Sequence, residues 1–280
     1  MADLVLGGSG RLGSALCGLR AARAPSRSEL DLATADEAAL EPWIRGSSAV
    51  INASAMALVD RCEAEPELAF ALNAALPGRL AAVCARLGVP LIHVSTDYVF
   101  GDGAGPWQQD DPCCPLQVYG RSKAAGEAAV LAHGATVVRV SWLFGPGASP
   151  YADYVLRQAS AGEGVAVFVD QQSRPTSLEG LAPWLLALSD LRASGASVPA
   201  ILHPAGGPTA SRGDWARALL DARGLHDVAV VDQGEGTLLA QRPADSRLEA
   251  SATQKWSASV GLPEIEDWQD AVRRLASAPA

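Results

Sequence analysis

Two side chains four residues apart raise the first chemical question. In the run Tyr119-Gly120-Arg121-Ser122-Lys123, a phenol and an ammonium open a helical stretch and fall on one of its faces. A tyrosine near pKa 10 is a reluctant acid at neutral pH, and a cation one turn away stabilises its phenolate. The pair suits a reaction in which an oxygen gains negative charge and then a proton, above all reduction of a carbonyl by hydride. Thr96, ending an apolar run upstream, supplies a hydroxyl that could hold the carbonyl oxygen in line. A packed helix-start aromatic beside a surface cation is the competing reading of the same two residues.

Such chemistry needs a hydride source, and the N-terminus offers a place for one. Asp3-Leu4-Val5-Leu6 is a short apolar run that ends in Gly7-Gly8-Ser9-Gly10-Arg11-Leu12-Gly13. Glycines at Gly7, Gly10 and Gly13 permit a tight turn, backbone approach to a diphosphate, and close packing of helix on strand. Gly7, Gly10, Arg11, Leu12 and Gly13 are therefore candidate dinucleotide contacts. Some way downstream, Asp31 and Leu32 are candidates for the adenosine end, although no convincing second strand precedes them. Arg27 could pair with a 2′-phosphate, which favours NADPH over NADH; a solvated loop arginine is the competing reading. Lys123 could also bind the nicotinamide ribose, coupling cofactor position to the acidity of Tyr119.

The elements that must position these groups alternate. Strands are expected at 3–6, 49–52, 89–96 and 136–142, with helices to about 23, over 66–87 and over 123–132. This order predicts an α/β fold, a Rossmann-like doubly wound parallel sheet with a smaller C-terminal α/β substrate lobe. Residues 1–145 would form the dinucleotide-binding domain and 146–280 mainly the substrate lobe, hinged at Gly145-Pro146-Gly147. A later strand near 165–169 is expected to return to the first domain. Gly7, Asn52, Thr96 and Trp142 fall at strand ends and should converge on one crevice.

Composition narrows the partners. With 49% hydrophobic and 19% charged residues, the 280-residue chain has the means to build a sizeable core. A net charge of −9 disfavours nucleic acid or an anionic membrane surface as partner. No run of about 18 uncharged apolar residues suggests a membrane span, and the start lacks a basic segment ahead of an apolar one, so no secretory signal is expected. The five cysteines include no CxxC, and the four histidines show no ligand spacing. Free thiols in a reducing cytoplasm, and no metal, are the expectation.

Taken together, the chain resembles the extended short-chain dehydrogenase/reductases, and within them the dTDP-4-dehydrorhamnose reductase family. The likeness is carried by the glycine turn, by Val50-Ile51-Asn52-Ala53-Ser54-Ala55 with Val59-Asp60 and Glu63, and by Ser95-Thr96-Asp97-Tyr98-Val99-Phe100. It continues through Pro115 to Lys123, Arg139-Val140-Ser141-Trp142, Asp170-Gln171 with Pro175-Thr176, and Arg242-Pro243-Ala244-Asp245-Ser246-Arg247-Leu248. The resemblance implies a catalytic triad of Thr96, Tyr119 and Lys123, with Ala53, Ser54 and Ala55 along the cofactor. It implies a dTDP-linked deoxysugar bordered by Thr96, Asp97, Tyr98 and Trp142. Arg242 is a candidate for the substrate diphosphate by charge and position, against a surface arginine.

One pair separates reaction types. Related nucleotide-sugar 4,6-dehydratases carry Asp-Glu after the threonine, because elimination of water needs a further acid and base; here the pair is Asp97-Tyr98. Keto reduction is favoured, with Asp97 read as bonding backbone or a tyrosine. Departures from the family pattern are Met56-Ala57 and Ser173, which stands where a glycine is usual. Ser14-Ala15-Leu16 offers no carboxylate of the kind through which some relatives bind metal at a dimer interface, and a homodimer stays open. The expected activity is NADPH-dependent reduction of a nucleotide-linked 4-keto-6-deoxysugar, with NADH as the alternative cofactor. Alternatives are a 4-ketoreductase for another dTDP-deoxysugar, or a non-catalytic NADP-binding partner resembling the regulatory subunit of methionine adenosyltransferase.

Overall fold

The structure, a computed structural model, describes residues 1–101, 103–146, 149–162, 164–233 and 238–277. Four parallel strands, β1 (Leu4–Leu6), β2 (Val50–Asn52), β3 (Leu91–Thr96) and β4 (Thr136–Val140), lie side by side in that order, with Ile201–Leu202 added at the far edge. Every residue of the four is buried. Such strands are covered on both faces, which is why they read as continuous apolar runs rather than alternating ones.

Alternate residues sort onto two cores. Val5, Ile51, Ile92, Val94 and Val138 meet Leu12 and Leu16 of α1 (Arg11–Leu19) and Leu181, Trp184 and Leu185 of the Leu178–Ala193 helix. Leu4, Leu6, Val50, Leu91 and Val137 face Leu40, Ile44, Leu76, Leu80 and Val83 instead. Each fully buried leucine or isoleucine contributes roughly 1.5–3 kcal/mol. The Pro66–Leu87 helix is long and apolar enough to cross a membrane, with mean hydropathy 1.5, yet Leu76, Leu80 and Val83 are sunk in this second core.

A third cluster, including Phe144, Val155, Val165, Val167, Trp215, Leu219, Trp268 and Val272, is the core of the C-terminal lobe. Here one expectation is corrected. The strand at Val165–Val167 does not return to the main sheet; it pairs in parallel with Val230–Asp232. A β-branched run advertises a strand but not its partner, and Val165 and Val167 find their apolar surroundings beside Trp215 and Leu219. The segment that does return, Ile201–Leu202, is too short to leave a pattern. The Leu178–Ala193 helix also crosses the boundary expected at 145, since it packs on α1. The expected hinge runs into Gly147, which lies outside the described residues.

On the other side of β1 the missing second strand shrinks to one residue. Arg23 bridges Leu4, donating its N–H to the Asp3 carbonyl at 2.8 Å and accepting from Val5 N–H at 2.8 Å.

Candidate active site

A crevice of about 870 Å³ opens beyond the carboxyl ends of the strands. Its lining includes Gly10, Arg11 and Leu12, Ala53 and Ala55, Thr96 to Tyr98, Tyr119, Lys123, Trp142, Arg212 and Arg242. The strand order thus brings together residues scattered over more than 200 positions. Gly7, Gly13, Asn52 and Ser54 stand behind this lining rather than in it.

The glycine turn is shaped by close approach. Gly7 has φ +83°, and a Cβ there would lie 2.8 Å from the Ser54 backbone. A Cβ on Gly13 would run into the Gly7 carbonyl. Gly10 precedes α1, whose N-terminus has no side-chain cap and no acid in its first turn. Free N–H groups and the positive end of the helix dipole therefore face the crevice, an arrangement that fits a diphosphate. Arg27, Asp31 and Leu32 lie outside this lining. Arg27 is 86% exposed and sits 3.8 Å from Asp31, while Leu32 packs against the second core. The segment begins against the turn, for a Cβ on Gly8 would come within 2.7 Å of Ala24 Cβ.

Thr96 ends β3, and Tyr119 and Lys123 come from the Val118–Leu131 helix. All three border the same crevice, as their spacing predicts. Burial pushes the Tyr119 phenol up, although the Thr96 hydroxyl pulls it the other way. In the cofactor-free chain the net shift is thus upward, opposite in direction to the lowering expected from a nearby cation. The Lys123 amine instead donates to the Val94 carbonyl at 2.7 Å and lies 3.2 Å from His93 Nε2. Burial lowers the Lys123 amine to about 8.

Among the described residues, the Asp97 carboxylate bonds neither backbone nor tyrosine. It accepts hydroxyls from Thr96 (3.0 Å), Ser173 (2.9 Å) and Ser246 (2.6 Å). Burial raises its carboxyl to about 6, against those three hydrogen bonds. Ser173, the departure from the family glycine, is thus one of the hydroxyls that hold Asp97.

Tyr98 lies edge-on to Tyr119, centroids 6.2 Å apart. Trp142 takes φ +42°, a strained conformation for a large side chain. The Arg212 guanidinium covers one of its faces at 3.7 Å and also lies 4.6 Å from the Tyr151 ring. The Trp142 indole N–H is buried without a partner. Arg242 donates to Asp60 at 3.1 Å and to the Ala240 carbonyl at 2.7 Å, so its charge is already engaged. Arg212 has no carboxylate within 4.0 Å among the described residues. A smaller hollow of about 230 Å³ adjoins the crevice and shares Tyr98, Tyr151, Arg212 and Arg242 with it.

Sequence reasoning missed Arg212, Tyr151 and His93. A histidine inside an apolar strand was a usable signal, since buried polar groups require partners; nothing in the run Ser211-Arg212-Gly213 marks an arginine that faces a site. No cluster of three or more His, Cys, Asp or Glu side chains fit to hold a metal occurs among the described residues.

Comparison with known proteins gives the family of the chain. The family model for the RmlD substrate binding domain matches residues 1–279. The dTDP-4-dehydrorhamnose reductase of Mycobacterium tuberculosis (strain H37Rv) is 39% identical over 292 residues, spanning 99% of this chain and 93% of its own. That of Mycolicibacterium smegmatis is 37% identical over 285 residues, spanning 98% and 85%. The dTDP-4-dehydrorhamnose reductase of Bacillus anthracis, solved in complex with NADP, shares the fold with a TM-score of 0.85 at 23% identity over 98% of both chains.

Proposed function

Because the chain belongs to the RmlD substrate binding domain family, alongside curated dTDP-4-dehydrorhamnose reductases, we propose that it reduces dTDP-4-dehydro-β-L-rhamnose to dTDP-L-rhamnose with NADPH. The observation that carries this reading is the convergence of Thr96, Tyr119 and Lys123 with an uncapped glycine-turn helix on one crevice. When bound, the dihydronicotinamide supplies the hydride for the 4-keto carbon.

In this reading the residues divide the work. Gly7, Gly10 and Gly13 leave room for a diphosphate at the start of α1, while Arg11, Leu12, Ala53, Ser54 and Ala55 flank its path. Tyr119 hands its phenolic proton to the carbonyl oxygen as the C–O bond gains electron density, and Lys123 holds the nicotinamide ribose. Thr96 holds the carbonyl oxygen beside the phenol once its hydroxyl proton, given to Asp97 in the free chain, turns to the substrate. The elevated phenol favours the protonated form that a donor needs. Tyr98 and Trp142 border the deoxysugar, and Arg212 with Arg242 faces the diphosphate between the crevice and the smaller hollow. Arg27, exposed beside Asp31, is the residue this reading assigns to a 2′-phosphate, with NADPH as the favoured cofactor. The residues of the third cluster form the substrate lobe, and the five free cysteines are in keeping with the cytoplasm.

The test is a panel of dTDP-, UDP- and GDP-linked 4-ketosugars, followed by loss of reduced-nicotinamide absorbance. Oxidation of NADPH with the dTDP-linked 4-keto-6-deoxysugar is expected, with Tyr119→Phe binding NADPH normally but turning over at least about 1,000-fold more slowly. Turnover by Tyr119→Phe at the parental rate sinks the assignment.

A further inference from the structure

We infer that His93 is a positioning residue that favours the uncharged amine of Lys123 in the cofactor-free chain and so weakens its hold on a proton, through a hydrogen-bond chain of fixed direction running from Ser54 to Val94. The argument rests on which atoms can donate. The Ser54 backbone N–H and hydroxyl approach Asn52 Oδ1 at 3.2 and 2.6 Å. A backbone N–H only donates, so that amide must present its oxygen to Ser54 and its NH2 to the other side. There Asn52 Nδ2 meets His93 Nδ1 at 3.0 Å, and His93 Nδ1 must accept. The neutral imidazole then carries its proton on Nε2, which faces Lys123 Nζ at 3.2 Å. An N–H directed at that nitrogen needs a lone pair, which a free amine has and an ammonium lacks. Lys123 in turn donates to the Val94 carbonyl at 2.7 Å.

A charged Lys123 always leaves two donors face to face. Moving the imidazole proton to Nδ1 sets it against Asn52 Nδ2, and turning the Asn52 amide over sets Nδ2 against the Ser54 N–H. Both encounters would occur where Asn52 and His93 are fully buried, so neither donor is exposed to solvent. Desolvation pushes His93 well below and Lys123 below its ordinary range, in the same direction as the chain.

Other charges near the amine offset this only in part. Glu127, one turn further along the helix, pulls the amine back up, but it is paired to Arg139 of β4 at 2.7 Å, both buried, and burial outweighs it. Asp97 at the end of β3 is held by three hydroxyls. Cys62, behind Tyr119, stays a thiol because burial raises it to about 11. From β2 the neighbour is Asn52, which carries no charge. A weaker hold of Lys123 on its proton lessens the cationic pull on Tyr119, which keeps the proton a donor requires; this consequence rests on the proposed function, whereas the weakened affinity itself does not.

The chain has only Lys123 and Lys255, and Lys255 is exposed, so protein labelled with 13C at lysine Cε gives two titrating signals. The Lys255→Arg variant identifies which is which. In the cofactor-free protein Lys123 is expected to bind its proton more than about 100-fold more weakly than Lys255. Long-range 15N–1H correlation on the same protein should show His93 as the Nε2–H tautomer, its signal identified by loss in His93→Gln. Asn52→Asp gives His93 Nδ1–H an acceptor, and should move the proton to Nδ1 and raise the affinity of Lys123 for its own. If Lys123 titrates beside Lys255, or if His93 carries its proton on Nδ1, the inference is overturned. Should the new buried carboxylate prevent folding, the two parental spectra decide alone. All are recorded without substrate or cofactor, so their outcome is separate from whether a ketosugar is reduced.

Discussion

Asp97 Oδ2 accepts the Ser246 hydroxyl at 2.6 Å, tying the end of β3 to a loop 149 positions away in the C-terminal lobe. The same carboxylate takes the single hydroxyl proton of Thr96 at 3.0 Å. Thr96 therefore turns its lone pairs outward and accepts from Tyr98 N–H at 3.2 Å. A structural fastening and the orientation of a reacting hydroxyl share one buried group.

Asp97 should give the protein a distinctive pH dependence. Its carboxyl is raised from 3.8 to about 6 in the folded chain. Below about 4 both folded and unfolded forms are protonated. Between about 4 and 6 only the unfolded form ionises, so this group costs stability as pH rises through that window, by up to about 3 kcal/mol. Urea unfolding of Asp97→Asn at pH 4 and pH 7 should show that component gone. An unchanged slope with pH would assign it elsewhere.

Arg212 should act on substrate binding rather than on chemistry. It borders both hollows and lacks a carboxylate partner among the described residues. A hydrogen bond to a charged group is worth about 1.5–3 kcal/mol. Arg212→Gln should therefore raise the KM for the sugar nucleotide about 10- to 100-fold. The Kd for NADPH should hold, and steady-state kinetics beside fluorescence titration separates the two.

Gly13→Ala should damage the turn itself. The new methyl group meets the Gly7 carbonyl, a backbone atom that cannot swing aside. A stability loss of about 1–3 kcal/mol is expected, with NADPH binding weakened more than at exposed Gly18, where an added Cβ meets nothing. Calorimetric titration of the two alanine variants checks the contrast.

Two ion pairs of similar length should differ widely in value. Glu127 and Arg139 meet at 2.7 Å with side chains 3% and 2% exposed, whereas Arg20 and Asp190 meet at 2.6 Å at the surface. Glu127→Gln leaves a buried cation unpaired and should cost about 3–5 kcal/mol. Asp190→Asn should cost less than about 1 kcal/mol. Denaturant midpoints of both variants provide the measurement.

The sheet was legible because its strands are buried on both faces and its helices have apolar stripes: β1 to β4 lie where their runs predict. Tyr119 and Lys123 were legible because helical spacing alone sets them on one face. What stayed hidden depends on distant partners. Nothing local to Val165–Val167 says which strand it joins, and Ile201–Leu202 is two residues long. His93, Asn52 and Ser54 form a chain only once β2 and β3 are adjacent. The raised Tyr119 phenol and the lowered Lys123 amine stayed hidden because the burial that shifts both is invisible in their spacing.

Among the described residues, Arg23 alone bridges the segment after α1 to β1, and further on Leu30 drops into the second core. Between those two anchors the chain from Ala24 to Glu29 is free of ladder bonds to the sheet. Its length and composition can drift without shifting the register of a single strand. On the proposed assignment of Arg27 to a 2′-phosphate, selectivity between phosphorylated and unphosphorylated dinucleotides is open to rewriting there during evolution, while the reacting end of the molecule keeps its geometry.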